Sequence, residues 1–359
     1  MEKPKKTILT LCLMIIVFGS LDFYFSRDDH DLVFSPIHKN NISPLPPEQL
    51  KNICPESDSA KFSCYDKYYR TLAVNDLNLA IADLKGRYNV SEYVRNLCHP
   101  LIHTIGRTYA EKSSHVLGAF AEGDPFCWSG YYHGVMEQIV EKVGKDNLKN
   151  EINKICSDVG DRVSFDRYNC VHGLGHGLMA LTNNEIFKSL GMCDYLTGSL
   201  PKSWCATGVF MENVIADWKN HKTNYLNPDE PFYPCTAVEK KYKDECYLGQ
   251  TSYALKLVNA DFKKLFDMCS EIEEDYQDEC HIGIGRDASG NTISDVIKTK
   301  QICELGKTVE QKQKCVEGAI IDFVSYYHSD TKALELCNSF GKEIKSHCLK
   351  TVKSYWSIF

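Results

Sequence analysis

Apolar and polar positions divide the chain into three unequal parts. An apolar run, Ile8 to Leu21, opens it and continues past Asp22 through Phe23, Tyr24 and Phe25. A polar stretch holding Pro36, Pro44, Pro46 and Pro47 follows as far as about Gln49, and reads as an extended spacer. From Leu50 onward, short apolar-rich segments alternate with polar turns, the pattern of repeated helices.

The unit is clearest near the end of the chain. Ala333-Leu334-Glu335-Leu336-Cys337 closes one predicted helix, and Asn338-Ser339-Phe340-Gly341 has the chemistry of a stop. A second helix restarts at Lys342, carries Cys348 and runs through Tyr355 and Trp356. Phe262 to Cys269 and Ile302 to Gly306 begin the same plan ahead of Cys280 and Cys315. Each unit is therefore expected to be a helical hairpin whose cysteines tie the end of one helix to the start of the next.

Cysteine spacing turns this unit into a ruler. The pairs are Cys156/Cys170, Cys193/Cys205, Cys235/Cys246, Cys269/Cys280, Cys303/Cys315 and Cys337/Cys348. Their second members are 35, 41, 34, 35 and 33 residues apart, a period near 34. Cys54/Cys64 has nearly the same internal spacing, and Cys98 and Cys127 join by elimination. Gly173, Gly208, Gly249, Gly283 and Gly318 each stand three residues after a second cysteine, and Gly130 does so after Cys127. A glycine recurring at one helical phase marks a place where neighbouring helices approach too closely for a Cβ. The expected fold is all-α: a disulfide-stapled α-solenoid of helical hairpins behind an N-terminal membrane anchor. The long interval after Cys205 places an inserted loop at 220–234, carrying Pro228, Pro231 and Pro234 and expected to project from the array.

Composition then restricts the address and the partners. Of 17 cysteines only Cys12 lies in the apolar run, and no CxxC occurs, so disulfides and an oxidising compartment are expected rather than zinc ribbons. Lys3, Lys5 and Lys6 precede the apolar run and Asp28, Asp29 and Asp31 follow it. That asymmetry makes 1–7 a cytoplasmic tail, 8–25 a signal anchor or cleaved signal peptide, 26–49 an extracytoplasmic spacer and 50–359 the ectodomain. Cleavage would make the protein secreted. The sequons at Asn41 and Asn89 fit a glycoprotein. A net charge of -7 leaves no basic footprint for nucleic acid.

Histidine breaks the regularity of the repeats. In the segment 98–213, "CHPLIHTIGR", "CWSGYYHGVMEQ" and "CVHGLGHGLM" each place two candidate ligands four residues apart: His99/His103, His133/Glu137 and His172/His176. An i,i+4 pair shares a helix face and can hold one cation. Counted from the cysteine, His103, His133, His176 and Glu212 fall at offsets five, six, six and seven, and so face one wall. Later repeats put Tyr253, Asp287, Asp322 and Tyr355 at offset seven without histidine. The expected metal ligands are His103, His133, Glu137, His172, His176 and Glu212, for Zn, Fe, Mn or Cu, with non-covalent haem as a lesser alternative. The competing expectation is that these histidines cap helices or satisfy buried carbonyls.

Several motifs are excluded. "GLGHG" at Gly173 to Gly177 is not a dinucleotide loop and reads as a glycine-weakened helix start where the chain bends or a ligand approaches. HExxH, CxxCH and G-x-S-x-G are all absent from the sequence. Two functional readings follow: a membrane-anchored binding scaffold that engages a protein or peptide on its concave face, or a metal-dependent hydrolase or oxidoreductase at the same histidines.

Overall fold

The structure, a computed structural model, describes residues 44–357 apart from 47–48, 51–52, 55–57, 113–115 and 216–222. The apolar segment 8–25 and the sequon at Asn41 lie outside the described residues. Among those described, no helix is long and apolar enough to cross a membrane. They belong to one compact unit and form helices throughout, with a single bridge at Asn227 and Glu230 as the one β-type pairing among them.

The helices are α1 (Asp58–Asn75), α2 (Leu77–Val90), α3 (Glu92–Asn96), α4 (Cys98–Lys112), α5 (Val116–Ala121), α6 (Gly130–Ile155), α7 (Phe165–Leu181) and α8 (Ile186–Cys193). They continue as α9 (Ser199–Ile215), α10 (Lys243–Leu257), α11 (Phe262–Cys269), α12 (Gln277–Asn291), α13 (Val296–Cys303), α14 (Val309–Tyr327), α15 (Thr331–Ser339) and α16 (Lys342–Trp356). The helical repeats expected from the cysteine rhythm are present. α8, α11 and α13 each end on the first cysteine of a pair, and α9, α12 and α14 each carry its partner. α6 compresses two elements into one run, because Gly144 at φ 71° breaks it before its second half reaches Cys156. Local polar chemistry starts several of these helices: Ser164, Asp261, Asp295 and Thr308 each accept a backbone N–H of the first turn.

All eight expected cysteine pairs are joined, including Cys54–Cys64 and Cys98–Cys127. Closing loops of this length contributes on the order of 3 kcal/mol per bridge through the unfolded state. That stapling lets outer helices as short as the eight residues of α11 and α13 hold their place.

The long helices of successive repeats pack in chain order, α4 on α6, α6 on α7, α7 on α9, and so on to α16. They form one continuous wall. The repeated glycines sit where this wall is tightest: a Cβ on Gly318 would overlap the Ile282 carbonyl. The wall then curves back on itself. Trp128, just before α6, meets Tyr326 of α14 with ring centroids 6.1 Å apart, and Phe165 stacks on His328 at 4.6 Å. The wall borders a half-open cavity of about 1180 Å³.

Two local expectations change. α7 runs unbroken through "GLGHG", whose glycines bring it against Met136 and Val140 on one side and Cys205 on the other. They serve helix contact, not a bend. The described part of the inserted loop, 223–234, lies back on the body instead of projecting. Tyr225 donates to Glu185 at 2.7 Å, Gln250 donates to the Pro231 carbonyl at 3.0 Å, and Phe232 packs beside Tyr247.

Candidate metal centre

Four consecutive wall helices deliver the histidine cluster. His99 and His103 stand one turn apart on α4, His133 and Glu137 on α6, and His172 and His176 on α7; Thr207, Met211 and Glu212 come from α9. Glycine sets how closely these helices meet. A Cβ on Gly134 would overlap the backbone carbonyl of His103, and one on Gly208 would overlap that of His172. Two of the close helix crossings therefore fall on residues that carry the imidazoles. All five rings are buried, His176 completely.

Hydrogen bonds fix the tautomers. His99 Nδ1 lies 2.8 Å from the Cys127 carbonyl oxygen, which only accepts, so Nδ1 carries the proton. His103 Nδ1 donates to Glu137 Oε1 at 2.6 Å, and Arg107 donates to the other oxygen of Glu137 at 2.9 Å. His176 Nδ1 donates to Glu212 Oε2 at 2.7 Å. Thr207 spends its hydroxyl proton on the Trp204 carbonyl at 2.7 Å, so it accepts from His172 Nδ1 at 2.8 Å. In the neutral form each of these four histidines is held by Nδ1 and presents a lone pair on Nε2.

Those lone pairs converge. His99 Nε2 and His103 Nε2 are 2.8 Å apart, and His172 Nε2 and His176 Nε2 are 3.2 Å apart. His133 Nδ1 lies 3.4 Å from His99 Nε2. Facing lone pairs at such distances repel unless a proton or a metal ion stands between them. Metal–nitrogen bonds of about 2.0–2.1 Å put two ligands of one ion about 2.9 Å apart at a right angle and about 3.4 Å apart at a tetrahedral one. The observed separations match both an N–H···N hydrogen bond and the edges of such a shell. Three sets of residues can converge on a cation: His99, His103 and His133; His133, His172 and His176; and His103, His176 and Glu212.

Electrostatics suit the same role. Burial, reinforced by the neighbouring imidazoles, pushes His99, His133 and His172 well below the usual histidine range and keeps them neutral. Burial lowers His176 too, against the opposing pull of Glu212. Burial alone would raise the Glu137 carboxyl, but the contact with His103 and the charge of Arg107 hold it well below its ordinary value. Glu212 is lowered in the same way by His176.

No family model, curated protein or solved structure matches this chain.

All six sequence-predicted residues, His103, His133, Glu137, His172, His176 and Glu212, come together in this cluster. The two glutamates each grip a ligand histidine by its Nδ1, the arrangement that orients an imidazole and raises its basicity. His99 joins them, although its offset of one from Cys98 lies off the common phase. Arg107 on Glu137, Thr207 on His172 and Met211, whose Sδ is 3.3 Å from His172 Nε2, carried no signal in the sequence.

The cluster borders the half-open cavity, and the opposite repeats supply its other wall. Asp287, Asp322 and Tyr355, all at offset seven, line it together with Arg286. Arg286 donates to Ser252 at 2.8 Å and to Asp287 Oδ1 at 3.2 Å, and Ser252 donates to the same Asp287 oxygen at 2.6 Å. The second oxygen of Asp287 and one of Asp322 have no hydrogen-bond partner. Burial raises the Asp322 carboxyl to about 6, with Asp287 adding to the shift and Ser289 and Arg286 opposing it.

Proposed function

We propose that this protein is a metal-dependent enzyme of an oxidising extracytoplasmic space, acting on a small substrate held in the half-open cavity. The observation that carries the proposal is the set of four Nδ1-anchored histidines whose Nε2 lone pairs converge. An all-imidazole donor set with carboxylates behind it fits Zn, Cu, Fe or Mn better than Ca or Mg. Haem fits poorly: ligands on opposite faces of one iron stand about 4 Å apart, whereas the paired Nε2 atoms are at 2.8 and 3.2 Å.

The cavity favours an enzyme over a scaffold for a folded partner. Its two walls meet through Trp128 and Tyr326, and its volume of about 1180 Å³ accommodates a small molecule. A divalent ion bound to the histidines would supply Lewis-acid chemistry or activate a water. Glu137 and Glu212 hold the imidazoles in the ligating tautomer. The far wall offers Arg286 as a donor, and Asp287 and Asp322 as acceptors, to orient the substrate. Asp322, with its raised carboxyl, is the candidate proton carrier.

The α-solenoid reading is part of this proposal, with the curvature of the wall shaping the cavity. So is the address. Eight disulfides support an oxidising compartment, and Asn89, exposed on α2, is open to glycosylation. Residues 8–25 would anchor or export the ectodomain.

The test is an open coordination position. Protein loaded with Co²⁺ should show visible bands that shift when azide is added. Bands that ignore azide at saturating concentration would mean a closed, structural shell and would remove the enzyme reading.

A further inference from the structure

The cluster holds more imidazoles than one four-coordinate ion uses, and they fall into two sets. α4 supplies His99 and His103, α7 supplies His172 and His176, and α6, packed between those helices, supplies His133. Each outer pair presents two Nε2 lone pairs to one another, at 2.8 and 3.2 Å. Both pairs need a cation to relieve the same repulsion.

Ring positions separate the sets. An imidazole bound through nitrogen has its centroid about 3.2 Å from the ion, so tetrahedral ligands of one ion have centroids about 5.2 Å apart and right-angle ones about 4.5 Å. Centroid distances among His99, His103 and His133 are 4.5, 5.2 and 5.4 Å. Among His133, His172 and His176 they are 4.8, 4.3 and 5.0 Å. Between the outer pairs, His99 and His176 are 6.2 Å apart, beyond tetrahedral reach, whereas His103 and His176, at 5.3 Å, are within it and form with Glu212 a third group able to converge on a cation. Of the two all-histidine sets, His133 alone belongs to both. Neither of its ring nitrogens is bound to a carboxylate, carbonyl or hydroxyl, whereas the other four histidines are each anchored in that way.

We infer that the centre is dinuclear: one transition-metal cation at His99, His103 and His133, a second at His133, His172 and His176, with His133 shared between them. The inference rests on the metal-centre reading above and deepens it. The two positions are chemically unlike. Only the second has a thioether beside it, Met211 Sδ at 3.3 Å from His172 Nε2, which makes it the softer of the two. Sharing would place one ion on each ring nitrogen of His133, as an imidazolate whose N–H proton leaves to solvent when the second ion binds.

The test is titration of the metal-free, full-length protein with Co²⁺, followed by visible absorption and by elemental analysis after desalting. Two equivalents are expected, with spectra that change in shape between the first and the second. His99→Gln and His172→Gln, checked for wild-type far-UV circular dichroism, should each retain one equivalent. A break at one equivalent in the wild-type protein would overturn the dinuclear inference and leave the metal-centre reading standing. No binding would overturn both. Two equivalents that survive unchanged in both folded variants would place the ions elsewhere and overturn it as well.

Discussion

Glu137 accepts the Nδ1–H of His103 at 2.6 Å and is itself held by Arg107 at 2.9 Å. In the proposed centre the carboxylate would act on the metal through His103 rather than by touching the ion. Glu137→Gln keeps an acceptor of the same shape and removes the charge. Metal affinity is expected to fall about 10–100-fold with the fold intact. Competition against a chromophoric chelator reads that change, and an unaltered affinity would deny Glu137 its orienting role.

The same logic joins scaffold to site at Gly208. A Cβ there would run into the His172 carbonyl, so Gly208→Ala must separate α7 from α9. Overpacking of this kind costs about 1–3 kcal/mol. The loss should appear both as a lower Tm and as reduced metal content, because the separated helices carry His172, His176 and Glu212. A Tm loss with full metal content would disconnect the glycine phase from the centre.

Asp322 predicts a pH dependence with a definite sign. Its folded carboxyl is raised from 3.8 to about 6. Between about pH 4 and pH 6 the folded chain keeps a proton that the unfolded chain has released. Its contribution therefore destabilises the fold progressively as pH rises through that window, then levels off. The full effect is on the order of 3 kcal/mol. Asp322→Asn should be more stable than wild type at pH 7 and match it near pH 4 by denaturant unfolding. Parallel pH profiles for the two proteins would contradict this.

Two disulfides should behave differently when removed. Replacing Cys269 and Cys280 with serine opens a short loop in a repeat away from the histidines, so about 3 kcal/mol of stability should go while metal content stays. Replacing Cys98 and Cys127 also frees the turn whose carbonyl at Cys127 anchors His99. That variant should lose metal as well as stability. Equal metal retention by both would show that the turn does not position His99.

Much of the scaffold was legible because covalent pairing imposes local spacing. Cys269/Cys280 and its counterparts needed no knowledge of distant contacts, and the glycine phase followed from steric reasoning about close crossings. The site was legible only in part. His133 and His176 share a phase, so their convergence could be read by counting from a cysteine. His99 is the i,i+4 partner of His103 in the sequence, but at offset one from Cys98 it lies off that phase, so counting does not bring it to the same wall. The curvature that brings Trp128 to Tyr326, and with it Arg286 and Asp322 to the cavity facing the histidines, is a long-range packing result with no local signature. The inserted loop was misjudged for the same reason, because Tyr225 finds Glu185 forty residues earlier in the chain.

X-ray absorption at the edge of the bound metal examines the centre most directly. The account predicts a first shell of nitrogen or oxygen at about 2.0–2.1 Å with the outer-shell scattering of several imidazoles per ion, much reduced in a His133→Ala, His176→Ala variant. A first shell without imidazole scattering, or a spectrum that the double variant leaves unchanged, would contradict it.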